Sequence, residues 1–287
     1  MKLIVVATIM LQVLAVGVQA DPPDLLTCVR RPLWLLRIIA AMFIGVPLLA
    51  VGLVKMSSAP MGMKVSIILL AVAAVAPLLP RKLLKLGVGH AFADSLAAIT
   101  MLLAIPLVPI TVKILGAMFG RDMVVPPASV AATLASTFLV PFAVGMALKA
   151  MLGERALRIG EWANTISNIA LAGIVLLLVG AQFGTILPLM WQSLPLIVSF
   201  ALGALIIGHV LGGPDPRERT ALAIATVTRH PGLALFMATS GFPNIQVLPP
   251  ILSLIIGCTI VSIPYTAWRK RVLAALPDHG PSMAGAR

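Results

Sequence analysis

Roughly nine apolar runs, parted by short polar or Pro/Gly links, take up almost the whole chain, and each is about as long as one crossing of a bilayer. They lie at about residues 3–17, 33–54, 63–80, 95–119, 128–150, 164–187, 191–213, 218–241 and 246–268. Only 10% of the residues are charged and 60% are hydrophobic, where a soluble domain carries about 25% charged residues. Too few charges exist to cover a water-facing surface. With lipid as the solvent, apolar side chains belong outside and every backbone polar group must be satisfied within the chain. The expected fold class is therefore an all-α polytopic membrane protein of about nine transmembrane helices, one transmembrane domain over 1–272 followed by a disordered tail, 273–287.

The formal net charge of +12 would suggest nucleic acid in a soluble protein. Here the bases sit at helix ends, and Tyr265 is the sole tyrosine, so nucleic acid is not an expected partner. Arg30/Arg31, Arg81/Lys82/Lys85, Lys149/Arg155/Arg158, Arg217/Arg219 and Arg269/Lys270/Arg271 fall on one side of the alternating loops. The other loops hold Lys55, Lys64 and Arg121, and those near 184–191 and 242–248 hold no base. The positive-inside rule puts the first set in the cytoplasm, with the N-terminus outside, the C-terminus inside, and the plasma (inner) membrane as the location. Cys28, in a cytoplasmic loop, and Cys258, inside an apolar helix, form no CxxC or Cys/His cluster, so no disulfide, metal or cofactor is indicated. Leu3–Gly17, after Lys2 and before Val18-Gln19-Ala20-Asp21, reads either as a signal peptide or as a retained first helix.

Two segments break the pattern in the same way. Ala76-Pro77-Leu78-Leu79-Pro80-Arg81-Lys82 and Thr226-Val227-Thr228-Arg229-His230-Pro231-Gly232 each place Pro beside bases in or next to an apolar run. Each precedes a Pro-containing helix, with Pro106/Pro109 in one case and Pro249/Pro250 and Pro264 in the other. A pair of interrupted helices at matching positions points to an inverted-repeat transporter, whose unwound backbone forms a site at membrane depth. Arg229 lies about ten residues beyond Arg219, near mid-membrane by helical rise. It lines the substrate site or replaces a bound cation, or else it pairs with carbonyls or a carboxylate and only holds the break together. His230 reads as a proton-linked switch or a hydrogen-bonded packing residue. Thr226 and Thr228 offer hydroxyls to a ligand or back-bond to their own helix. Arg81, Lys82 and Lys85 are site bases or a plain cytoplasmic turn. Asp94 is a partner for Arg229 or one of these bases, or the cap of a helix starting near Ser95. His90 and Asp94 alone make no metal site. Gly180 and Gly184 have the spacing of close helix packing.

From Pro216-Arg217-Glu218-Arg219-Thr220-Ala221-Leu222 through Arg229-His230-Pro231-Gly232-Leu233-Ala234 the chain resembles the bile acid:sodium symporter family. Pro80–Ser95 can be laid on that family's other broken helix. Pro126–Lys149 is similar to its sixth helix, with Pro141 and Gly145 in a Leu-Pro-x-x-x-Gly pattern where Val140 replaces the Leu. Leu3–Gln19 is similar to its second helix, which favours a retained helix and leaves the family's first helix absent. The resemblance implies a fold like that of sodium–proton antiporters: a core domain (about 33–119 and 191–272) and a panel domain (about 1–20 and 128–187), related by inverted repeats, with two broken helices crossing. It implies inward carriage of a small organic anion with sodium by alternating access. The family's Ser-Asn pair falls on Arg81 and Lys82, its sodium-liganding Glu on Ala225, and the Gln four residues later on Arg229. Cations are held by neutral or acidic oxygens, so the expectation is that tethered Arg and Lys stand in for one or both sodium ions, with sodium or proton coupling left open.

The expected function is secondary active transport of a small organic anion in a lipid bilayer. The alternative is a degenerate, non-transporting receptor or binding protein of the same fold. Paired carboxylates, a Ser–His pair and a metal set are missing at membrane depth, so an enzyme is not expected. No ring-forming filter suggests a channel, and no motif specifies an oligomeric state.

Overall fold

The computed structural model describes residues 2–20, 23, 31–118, 132, 135–241 and 245–276. Cys28, Arg30, Arg121 and the stretch 277–287 of the expected tail lie outside the described residues. The chain is an all-α membrane protein. The helices are α1 (Lys2–Gln19), α2 (Pro32–Met56), α3 (Met61–Val72), α4 (Leu79–Leu84), α5 (His90–Met118), α6 (Ala135–Leu152), α7 (Glu154–Ala181), α8 (Phe183–Gln192), α9 (Leu194–Leu211), α10 (Pro216–Val227), α11 (Pro231–Gly241) and α12 (Leu248–Ala274). Among the described residues, α2, α5, α6, α7, α9 and α12 are each long and apolar enough to cross a membrane. Leu176 is 72% and Val210 71% exposed. Lipid tails solvate such side chains without cost, whereas water would not.

Packing falls into two sets. In the first, α1 lies against α6 and α7. The close approach is made at Gly17 and Gly145. A Cβ on Gly17 would sit 2.3 Å from the Phe142 carbonyl oxygen, and one on Gly145 would sit 2.3 Å from that of Leu14. Gly160 of α7 meets the Val18 side chain in the same way. Small residues let helix backbones touch, and in lipid that contact replaces the hydrophobic drive. Gly180 and Gly184, which have the spacing for such packing, meet open space instead.

In the second set α9 packs on α10, α12 and α2, and α3 packs on α2, α11 and α12. α10 opens on Asp215, whose Oδ1 accepts from the backbone N–H groups of Arg217 and Glu218, with Pro216 in the first turn. This N-cap satisfies donors that would otherwise be orphaned. The same end is tied by the Arg31–Glu218 ion pair and by Arg269, which donates to Thr220 Oγ1 (2.8 Å) and to the Pro216 carbonyl (2.7 Å).

Several expected boundaries shift. α7 starts at Glu154, about ten residues before the apolar run, because a stretch carrying Arg155, Arg158 and Glu161 continues the same helix ahead of it. The uncharged link expected near 184–191 is the helix α8. α12 runs to Ala274, so the first two residues of the expected tail are helical. α5 begins at His90, a turn before Ser95, so Asp94 lies inside that helix and is not its cap. Arg81 and Lys82 are on the short helix α4; the turn holds Lys85 and Gly87.

Candidate functional site at the crossing of two broken helices

Both interrupted segments are unwound, and they meet. α3 stops at Val72, and α4 begins at Leu79; α10 stops at Val227, and α11 begins at Pro231. The two gaps run antiparallel, with Val75 opposite Arg229. The His230 N–H donates to the Ala74 carbonyl (2.8 Å), and the Ala76 N–H donates to the Thr228 carbonyl (3.1 Å). Each segment supplies the partners the other has lost, which lets irregular backbone persist away from water.

Arg229 is 4% exposed and sits at this crossing. Its Nε donates to the Thr226 carbonyl (2.9 Å), one terminal nitrogen to the Ala73 carbonyl (3.0 Å) and the other to the Met42 carbonyl (3.0 Å). Each acceptor is freed by a local event. At Ala73 the backbone turns extended (ψ 151°), which swings its carbonyl off the axis of α3, and Pro77, four residues on, has no N–H with which to continue the helix. The residue four beyond Thr226 is His230, whose N–H goes to Ala74 instead. In α2, Ile39–Gly45 forms a π segment, in which the Val46 N–H reaches back five residues to Ala41. The next residue, Pro47, cannot make the corresponding bond to Met42. Three orphaned carbonyls, two of them at helix C-terminal ends, form a partly negative cage, and the guanidinium fills it.

The other expected site residues divide. Thr226 is fully buried, and its hydroxyl lies 2.7 Å from the Ala204 and Ala223 carbonyls, so it back-bonds and ties α10 to α9. Thr228 Oγ1 accepts from Lys82 Nζ at 3.4 Å. His230 Nδ1 accepts from the Leu233 N–H (3.3 Å) at the start of α11, which assigns its proton to Nε2. Its ring meets that of Phe138 edge-on at 5.7 Å. Arg81 reaches across to α7, donating to Thr165 Oγ1 at 3.2 Å. Asp94 is half-buried on α5, and the hydrogen bonds of Arg229 go to carbonyls rather than to it.

A cavity of about 360 Å³ opens beside the crossing. Lys82, Thr228, Arg229 and His230 line one wall, while Gln12 and Asn168 line another. Leu70, Leu171, Val175 and Ile255 make it mostly apolar. The amides were not singled out from sequence. Gln12 Nε2 donates to Asn168 Oδ1 (3.2 Å), and Asn168 Nδ2 donates to Asn164 Oδ1 (2.6 Å). Gln12 Oε1 and His230 Nε2 are buried without partners. The available signal was a lone amide near the middle of the apolar first run, and two asparagines spaced to share a face of α7. Among the described residues, no group of three His, Cys, Asp or Glu side chains comes together.

No protein-family model and no curated protein matches this chain.

Proposed function

We propose that the chain is a secondary transporter that moves a small organic anion by alternating access, with Arg229 acting as a tethered cation at the crossing. The observation that carries this reading is the cage of three freed carbonyls, beside a cavity, closed by a guanidinium rather than by an ion from solution. Carbonyl oxygens in that arrangement suit a hard cation. A resident charge performs the electrostatic part of that task and cannot leave. The six long helices, α1 and the two broken pairs together make about nine crossings. In this reading α1, α6 and α7 form the panel, and α2–α5 with α9–α12 form the core. The basic loops face the cytoplasm across the inner membrane, with the N-terminus outside. All three bonds of Arg229 lie within that core, so they brace it without pinning it to the panel.

The test is uptake of organic anions into proteoliposomes with and without a sodium gradient. Uptake that proceeds without sodium supports the reading. Strong sodium dependence with a Hill slope near two refutes the tethered-cation part, and absence of uptake with every anion that shifts thermal stability favours the non-transporting receptor.

A further inference from the structure

Beyond the anion itself, the cavity has a charge imbalance that bears on how a carrier could return. Arg229 is answered by three carbonyls. Lys82 is not answered in this way. It is half-buried, it lines the cavity, and its hydrogen bond goes to the neutral Thr228 hydroxyl at the long distance of 3.4 Å. The cavity lining contains no Asp or Glu. The Arg31–Glu218 ion pair joins the starts of α2 and α10 and does not involve Lys82. An ammonium has three protons to donate, and the empty cavity offers it little.

We propose that the protein is an obligate exchanger, swapping one singly charged organic anion for another, and that Lys82 enforces the swap as the counter-ion of the bound anion. The proposal rests on the transport reading. In alternating access the cavity must close to both sides before it opens to the other. Closing an empty cavity strips water from an unpaired cation, which is strongly unfavourable at membrane depth. Closing it around a monoanion leaves a compensated pair with an apolar body against Leu70, Leu171, Val175 and Ile255. The loaded form therefore crosses readily, and the empty form crosses slowly.

The experiment uses the full chain in proteoliposomes and labelled 2-naphthalenesulfonate, a permanent anion that does not leak as a neutral acid. Uptake should be at least about tenfold faster into vesicles preloaded with the unlabelled probe than into empty ones, since an unpaired cation at this depth costs more than one decade of rate. Lys82→Gln should shrink that advantage to below about twofold, while Lys82→Arg should keep it. Equal uptake into empty and preloaded vesicles would overturn the exchange and leave transport standing. So would uptake into empty vesicles driven by an acid exterior, because the lysine would then be returning without its proton. A second readout needs no transport. Cys258 lines the same cavity. In a Cys28→Ser background, its thiol should react faster with sulfonatoethyl methanethiosulfonate, an anion, than with the trimethylammonioethyl reagent, each rate normalised to a free thiol. Lys82→Gln should remove the preference. Equal rates in the parent would overturn the charge argument whatever the flux shows. No flux with any preload, alongside an intact reagent preference, would sink the transport reading and the exchange with it.

Discussion

Replacing Arg229 with Ala empties the carbonyl cage, and the structure sets the energy at stake. Three hydrogen bonds end on Thr226, Ala73 and Met42. At about 0.6–1.7 kcal/mol each in a membrane interior, they contribute about 2–5 kcal/mol. Against this, the variant is relieved of a guanidinium whose burial costs about 2.5–3.5 kcal/mol on insertion scales. The two terms nearly cancel, so insertion and baseline stability should change little. The discriminating quantity is the response to sodium. Vacated carbonyls suit a small hard cation, and a site with a dissociation constant of about 10 mM would gain about 1.6 kcal/mol in 150 mM sodium.

The assay is thermal unfolding in detergent, comparing sodium chloride with choline chloride at equal ionic strength, for parent and variant. The parent should respond to neither salt differentially, because its cage is full. Arg229→Ala should be stabilised by sodium alone, should lose uptake in sodium-free buffer, and should recover part of it when sodium is supplied. A variant that unfolds identically in both salts, or transports normally without sodium, would show that the guanidinium only braces the break. Arg229→Lys should fall short of the parent, since one ammonium cannot present a planar fork to carbonyls on three separate elements.

Gly17→Ala should destabilise by about 1–3 kcal/mol, as its Cβ would lie 2.3 Å from the Phe142 oxygen, while Gly180→Ala, facing open space, should be neutral or better; thermal melts of both check this. Thr226→Val should lower the melting temperature through loss of the α9–α10 tie, whereas Thr228→Val should tighten anion binding measured by thermal shift, because it strips Lys82 of the neutral acceptor that competes with the anion. Pro77→Ala supplies the N–H that α3 needs to wind on past Ala73, and rewinding would take the Ala73 carbonyl from Arg229, so uptake should fall with folding retained; unchanged uptake would detach that proline from the cage.

The crossing was legible in the sequence because prolines beside bases cannot pass for an ordinary apolar helix, and both breaks lie within a few residues of where Pro77 and Pro231 put them. The third carbonyl of the cage was not. Pro47 reads as one more tolerated helix proline, and nothing local says that the turn before it widens into a π segment and frees Met42. Gln12 was hidden by its surroundings, since a single amide barely alters the hydropathy of its run. Asn164 and Asn168 gain meaning only once α1 lies against α7. The start of α7 was misplaced because charges were taken as the end of a helix, when they mark only the end of the hydrocarbon. Gly180 and Gly184 had the right spacing on a face with no neighbour.

A cage built from missing N–H groups has a consequence for how sequence and charge are linked here. Each proline that frees a carbonyl adds partial negative charge at the crossing and makes a cation there more favourable. Each N–H returned to the helices would make that cation less so. The prolines and the arginine therefore form one unit, although they lie on α2, between α3 and α4, and between α10 and α11. Substituting Pro47 or Pro77 by Ala should hurt the parent, because an N–H then competes with the guanidinium. The same substitution in an Arg229→Ala background should help, because it satisfies a carbonyl otherwise left bare. A double-mutant cycle on melting temperature measures that change of sign. Additive effects, with the proline substitutions acting alike in both backgrounds, would mean that the freed carbonyls and the guanidinium are neighbours without being energetic partners.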